Sequence, residues 1–172
     1  AGRLAVIEGA SNLKANSGGR GLLISGVPGT DAANVVVIGG GVVGANAARI
    51  AIALGARVTV LDRSVSRLRH LEDIFGSSVT TRYSTQAIIE EVCRSADMII
   101  GAVLIPGASA PKLLSKAFLN EMKPGSVLVD VAIDQGGCFE TSTPTTHDNP
   151  TYLVNNVVHY CVANMPGAVP LT

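Results

Sequence analysis

The run Val35-Val36-Val37-Ile38-Gly39-Gly40-Gly41-Val42-Val43-Gly44 decides the fold. Its β-branched residues spell a short buried strand, its glycines a turn, and the residues from about Val43 to Leu54 a helical pattern. Gly39, Gly41 and Gly44 fit G-x-G-x-x-G with a strand before and a helix after, and a second strand, Arg57 to Asp62, ends on an acid about 20 residues on. Gly39 permits the tight turn, Gly41 lets a pyrophosphate approach the backbone, and Gly44 lets the helix lie close on the sheet. That helix points free N–H groups and the positive end of its dipole at phosphates. The stretch reads as a dinucleotide-binding turn. Asp62 is placed to accept hydrogen bonds from the adenosine ribose and to repel a 2′-phosphate, which favours NAD over NADP. Arg63 pulls the other way, since a basic residue there accommodates the extra phosphate. Arg67, one helical turn further, either flanks the adenine or pyrophosphate or faces solvent.

Outward from this stretch, strands alternate with helices. Upstream, Leu4, Ile7, Ala10, Leu13 and Lys14 recur at near-helical spacing, so residues 1–15 predict a short helix. A Gly-rich loop at 17–21 leads to Leu22-Leu23-Ile24, a small strand or extended arm. Downstream, Ser64 is a candidate N-cap for a helix through Leu68, Leu71 and Phe75 that stops near Gly76. Val79–Tyr83 predicts a third strand, and Thr85–Arg94 a helix with Ala87, Ile88, Val92 and Cys93 inward. Met98–Leu104 predicts a fourth strand, apolar on both faces and therefore central. Lys112–Met122 predicts a helix, Ser126–Ala132 a fifth strand, 136–151 a long polar loop and Val157–Val162 a sixth strand, with Asn164–Gly167 closing the fold. The expected class is α/β: a Rossmann-type, doubly wound parallel sheet in three αβα layers, about six strands in the order 3-2-1-4-5-6. Ligands then lie beyond the carboxyl ends of the strands, at the switch between the first and fourth.

Composition agrees. The apolar share is 47% and the aromatic share 3%, so Val, Ile, Leu and Ala must build the core, as in a parallel sheet covered on both faces. Thirteen basic and 13 acidic residues cancel, which argues against nucleic acid or an anionic membrane as partner. No apolar run approaches the roughly 20 residues of a membrane span, and Ala1-Gly2-Arg3 lacks the layout of a secretion signal; a cytoplasmic protein is expected. The three cysteines, Cys93, Cys138 and Cys161, form no Cys-x-x-Cys pair and are expected as reduced thiols, with no metal site. The chain begins without methionine, the mark expected of a piece of something larger.

Among residues that could carry chemistry, Asp134 is the most informative after Asp62. It follows the fifth strand, beside Gln135 and ahead of Gly136-Gly137. A carboxylate there could fix the nicotinamide ribose, orient a base, exchange a proton during hydride transfer, or simply close a turn. Asp130 reads as a capping or sheet-end acid. His70 falls mid-helix, His147 in the polar loop and His159 within the last strand; none is singled out as a proton-transfer group.

Four segments together resemble the cofactor domain of bacterial alanine dehydrogenase, within the alanine dehydrogenase and nicotinamide nucleotide transhydrogenase family: Gly39–Gly44, Ile100–Gly107, Val129–Cys138 and Asn164–Pro170. The resemblance implies reversible, NAD-linked oxidative deamination of L-alanine to pyruvate and ammonium. It implies that Asp134 matches the catalytic aspartate and that Val42, Asp62, Arg67, Ser84, Val103, Leu104, Val131, Ala132, Ile133, Asp134, Val162, Ala163, Asn164 and Met165 fall on cofactor-contact positions, joining Gly39, Gly41, Val43 and Gly44 of the turn. Residues 1–172 are then the NAD-binding domain; the substrate-binding lysine and arginine and the catalytic histidine belong to a domain outside this chain, and the parent enzyme is a homo-hexamer. Arg67 and Thr143 depart from some members, which carry Lys and Arg there. Two alternatives stand beside it: the corresponding domain of a proton-translocating transhydrogenase, and a nucleotide-sensing module without chemistry. Asp134 separates the first reading from the last.

Overall fold

The computed structural model describes all residues from Ala1 to Thr172. One sheet organises them: β1 (Asn34–Ile38), β2 (Arg57–Asp62), β3 (Val79–Tyr83), β4 (Met98–Gly101), β5 (Val127–Asp130), β6 (Thr151–Val154) and β7 (Val157–Tyr160). Their order is β3-β2-β1-β4-β5-β7-β6, every pairing parallel except β6 with β7. This is the doubly wound α/β fold, with β4 central and buried at every position. It has seven strands rather than six. The extra strand, β6, joins the polar stretch to β7 through Asn155-Asn156, both at positive φ. Asparagine tolerates that left-handed backbone, and two such residues in succession suit the twist of a two-residue hairpin. The parallel strands keep the order 3-2-1-4-5 followed by the parallel β7, and β6 is added outside them as the edge.

Helices α1 (Gly2–Asn12), α2 (Val42–Ala53), α3 (Val65–Phe75) and α4 (Gln86–Arg94) cover the sheet. Ser64 caps α3 by accepting from the Arg67 backbone N–H at 3.3 Å, and Thr85 caps α4 by accepting from Ile88 N–H at 3.2 Å. Two apolar clusters, one per face, complete three layers. One gathers α1 and α2 residues with Val35, Val37, Met98 and Val129; the other gathers Ile89 and Cys93 with Val36, Ile99, Leu128 and Phe139. α1 packs on α2, β4, β5 and β7. It does so through Gly2, Ala5, Val6 and Gly9, leaving Ile7 53% exposed, because larger side chains at the two glycines would meet the Val43 carbonyl and the Met98 thioether. On α4 Cys93 is buried and Ile88 and Val92 pack partly buried on the same cluster, as the spacing predicts, while Ala87 is exposed and Ile89 takes the inward place instead.

Leu22–Ile24 joins no sheet, which excludes the small strand, and it leads into a turn in which Gly26 N–H donates to the Leu23 carbonyl at 2.9 Å. Three other segments depart from the sequence pattern. The fourth strand ends at Gly101 and the fifth spans only Val127–Asp130. Lys112–Met122 forms no α-helix, only a 3₁₀ turn at Ala117–Glu121. The reason is where its backbone bonds go: Ala110 N–H donates to the Gln135 carbonyl at 3.0 Å, Leu113 N–H to Cys138 at 2.6 Å, and the Leu114 carbonyl accepts from Glu140 N–H at 3.0 Å. Tertiary partners satisfy groups that an isolated helix would pair internally.

The β6–β7 hairpin also anchors the loop that precedes it. His159 is fully buried, with Nδ1 2.9 Å from the Val157 carbonyl and Nε2 2.6 Å from the Thr141 hydroxyl. Its ring stacks on Tyr152, centroids 4.9 Å apart. A carbonyl only accepts, so Nδ1 carries the proton and Nε2 accepts from Thr141. Burial pushes the His159 pKa below its ordinary 6.5. As pH falls below that value the unfolded chain takes the proton first, so stability present above about pH 6.5 is lost on acidification toward the depressed folded value. Thermal melts from about pH 7.5 to about pH 5.5 should show this decline, and His159→Gln should flatten it. An unchanged slope in the variant would contradict the buried neutral state.

Candidate functional site

The site begins where β1 ends. Gly39 has φ +106°, a backbone that side chains rarely adopt. A Cβ at Gly44 would fall on the Gly39 carbonyl, so only glycine lets the first turn of α2 close against the strand end. Gly41 precedes α2 in an extended backbone and no side chain caps the helix. The first N–H groups of α2, at Val42, Val43 and Gly44, therefore have no intrahelical acceptor and offer the positive end of the helix dipole to an anion. At Gly41 a Cβ would meet nothing nearer than the Arg67 guanidinium at 3.7 Å. Space, rather than packing, is what this glycine keeps.

Asp62, at the end of β2, is nearly buried and tied to the same turn. Its Oδ2 accepts from Gly40 N–H at 2.7 Å and its Oδ1 from Ser64 N–H at 2.8 Å. Arg67 Nη1 lies 3.7 Å from Oδ2, but the Arg67 side chain is 60% exposed. A solvent-screened pair of that kind contributes below about 1 kcal/mol. The two backbone donors, not Arg67, hold the carboxylate. Each oxygen has lone-pair capacity left for one further donor, which suits a vicinal diol.

These residues open onto a cleft of about 470 Å³ at the carboxyl ends of the strands. It brings together Gly39, Gly41, Val42, Val43, Asp62, Arg67, Ser84, Val103 and Leu104; Ser84 is itself linked to β2 by its N–H donating to the Asp62 carbonyl at 3.0 Å. Gly44 lies beneath, in packing. The cleft is also lined by Gln86, Ile89 and Leu113, none of which the motif pattern singles out. Leu113 reaches it because Pro111–Leu113 is drawn across the sheet end instead of coiling into a helix. A groove of about 500 Å³ lies at the opposite, amino edge, lined by Asn34, Gly55 and Ser78 among others. It is of similar size, but contains neither the glycine turn nor a strand-end acid.

The remaining candidates sit at the carboxyl ends of β5 and β7, outside that cleft's lining. Val131 and Ala132 lead into a 3₁₀ turn, Ile133–Gln135, that exposes Asp134. Val162 and Met165 are buried, Ala163 is half-buried, and Asn164 is exposed at φ +55°. The Asn164 carbonyl lies 3.0 Å from His147 Nε2. All three thiols are free and buried, with Cys93 and Cys138 pushed up to about 12, so none is a nucleophile at neutral pH. No group of three or more His, Cys, Asp or Glu side chains is arranged to hold a metal ion, and no helix is long and apolar enough to cross a membrane.

A family model described as alanine dehydrogenase/PNT, C-terminal domain, matches residues 5–172. The chain belongs to that family. It is 63% identical over 172 residues to the alanine dehydrogenase of Halomonas elongata, covering 100% of this chain and 46% of that protein. It is 56% identical over 172 residues to the alanine dehydrogenase of Mycolicibacterium smegmatis, with the same coverage of 100% and 46%. Among solved structures, an L-alanine dehydrogenase superposes with a TM-score of 0.96 at 55% identity, over 99% of this chain and 47% of that one. A transhydrogenase from Sinorhizobium meliloti follows at 0.81 and 29%, over 98% and 47%. The chain thus spans about half the length of the curated relatives it matches.

The two glycines should respond differently to substitution. Gly41→Val should leave the thermal melt within about 1 kcal/mol of the parent, since its Cβ meets only the exposed Arg67 guanidinium, at ordinary contact distance. Gly44→Ala should cost about 1–3 kcal/mol or more by forcing α2 off the strand end. Equal losses would contradict the packing role given to Gly44.

Proposed function

We propose that this domain binds NAD across the carboxyl edge of its sheet and serves an L-alanine dehydrogenase, the reversible oxidative deamination of L-alanine to pyruvate and ammonium. The observation that carries the binding reading is the joining of the Gly39–Gly44 turn to Asp62 through the Gly40 N–H. One backbone bond sets the diphosphate-facing helix end and the ribose-facing carboxylate in a fixed relation. Val42 and Val43 N–H groups bind the diphosphate, Asp62 the adenosine ribose, and Ser84, Val103 and Leu104 line the adenosine side. Arg67, beside Gly41, lies along the diphosphate path.

Val131–Asp134 and Val162–Met165 receive the nicotinamide half. NAD supplies the hydride acceptor when bound. The chain's own part is to orient it and to present Asp134, whose exposed carboxylate is free to fix the nicotinamide ribose or exchange a proton. Hydride transfer also requires the amino acid's Cα hydrogen near the nicotinamide, a cation for its carboxylate and a base for its amine proton. Among the histidines, His159 is buried in structure, His70 lies exposed on α3, and His147 is engaged at the Asn164 carbonyl. Those groups are supplied by a substrate domain beyond residues 1–172. The parent enzyme is read as cytoplasmic and homo-hexameric. The transhydrogenase reading rests on the S. meliloti likeness at 29% identity; the 63% and 56% identities to alanine dehydrogenases favour the first.

Isothermal titration of the 172-residue chain should give a tighter Kd for NAD than for NADP, with Asp62→Ala narrowing the gap to less than about 3-fold. Equal affinities in the unmodified chain would remove Asp62 from the ribose. The isolated chain should produce no alanine-dependent NADH, whereas in a full-length enzyme Asp134→Asn should keep NAD affinity within about 2-fold and lower turnover by about 100-fold. Activity of the isolated chain would place a substrate site within these residues, and normal turnover of the variant would leave Asp134 a purely structural role.

A further inference from the structure

Asp130 ends β5 with no exposure at all, four residues before the exposed Asp134. Its Oδ1 accepts from Ala132 N–H at 2.9 Å, and its Oδ2 from Cys138 N–H at 2.7 Å and from the Ser142 hydroxyl. Two of those donors are the backbone on either side of the turn that carries Asp134. The turn closes on itself as well, Gly137 N–H donating to the Ala132 carbonyl at 3.1 Å. Its outer carbonyls are taken by the Lys112 ammonium, 2.7 Å from Gly136 O and 3.0 Å from Gly137 O. Gln135 is held from the other side, its Oε1 accepting from Ile105 N–H at 3.1 Å and its carbonyl from Ala110 N–H. Gly137 is required by this closeness: a Cβ there would come within 2.9 Å of Asp130 Oδ2.

A buried carboxylate is expensive, and here burial pushes the Asp130 pKa up while Ser142, Cys138, Ala132 and Lys112 pull it back. Asp130 does not line the cleft and is fully buried, so a molecule bound there does not reach its carboxylate directly. We infer that Asp130 is a positioning residue for Asp134: its two oxygens, each bonded to one flank of the 131–138 turn, set the point from which the Asp134 carboxylate reaches out. This rests on the alanine dehydrogenase reading of Asp134. The charge is needed because of the donor count. An asparagine carbonyl could face Ala132 N–H or Cys138 N–H, but its NH₂ would confront the other, leaving one buried backbone donor without an acceptor.

The test is a double-mutant cycle in a full-length enzyme carrying this turn. Asp130→Asn should lower kcat at least about 10-fold while KM for NAD stays within about 2-fold, and in an Asp134→Asn background it should lower kcat by less than about 2-fold more. Ser142→Ala, which leaves both backbone donors bonded, should keep more than about half of kcat. Full kcat in Asp130→Asn, or a loss that multiplies with that of Asp134→Asn, would overturn the inference. Should Asp130→Asn fail to fold, amide hydrogen exchange in the unmodified 172-residue chain decides: Ala132 and Cys138 should exchange as slowly as strand amides, and fast exchange at either would overturn the clamp. Normal turnover in Asp134→Asn alone is a different failure, that of the catalytic reading, and exchange at Ala132 and Cys138 tells the two apart.

Discussion

The approach of α2 to the end of β1 is the contact on which the site depends. Because Gly44 has no Cβ, the helix starts directly over the Gly39 carbonyl, and its unpaired N–H groups lie at the strand edge rather than a side chain's width away. A helix dipole acts only over its first turn, so a shift of even a few ångströms would remove most of its pull on a phosphate. Asp62 then depends on the same turn, since Gly40 N–H is one of its two fixed donors. A change in the glycine turn is therefore felt twice, at the anion site and at the strand-end acid.

The sheet makes that edge rigid. β1, β4 and β5 are almost wholly apolar and buried from both sides, one face under α1 and α2 and the other under α4 and the drawn-out 105–122 segment. Their side chains alternate between the two apolar clusters, so each central strand is held from both faces at about 25 cal/mol per Å² of apolar surface removed from water. Polar groups at the carboxyl edge can accordingly be arranged for binding. Asp62 and Asp130 illustrate two uses of a strand-end acid: one accepts two backbone donors and still faces the cleft, the other accepts three donors and faces none.

Legibility followed how local the cause was. The dinucleotide turn, the Ser64 cap, the parallel strands and their order rest on residues close in sequence, and all could be read from spacing. The Lys112–Met122 helix could not be excluded in that way, because what unwinds it are carbonyls and N–H groups of Gln135, Cys138 and Glu140, joined only by the fold. β6 is only four residues long and begins at the last residue of the polar stretch, and the Asn155-Asn156 pair after it was the hairpin signal that marks it. Neither cleft residue Gln86 nor Leu113 carries a motif: Gln86 stands at the start of α4, and Leu113 reaches the site through the same tertiary rearrangement. Asp130 could be read as a sheet-end acid, but not as the closure of a turn whose other flank, Cys138, lies eight residues on.

Backbone amide NMR of the 172-residue chain titrated with NAD separates binding at the carboxyl edge from binding elsewhere. Gly39 to Val43, Asp62, Ser84, Val103 and Leu104 should shift together with one saturating affinity, while Asn34, Gly55 and Ser78 at the amino edge stay in place. Shifts confined to the amino-edge groove, or no shift at Gly41 and Val42, would contradict binding at the carboxyl edge.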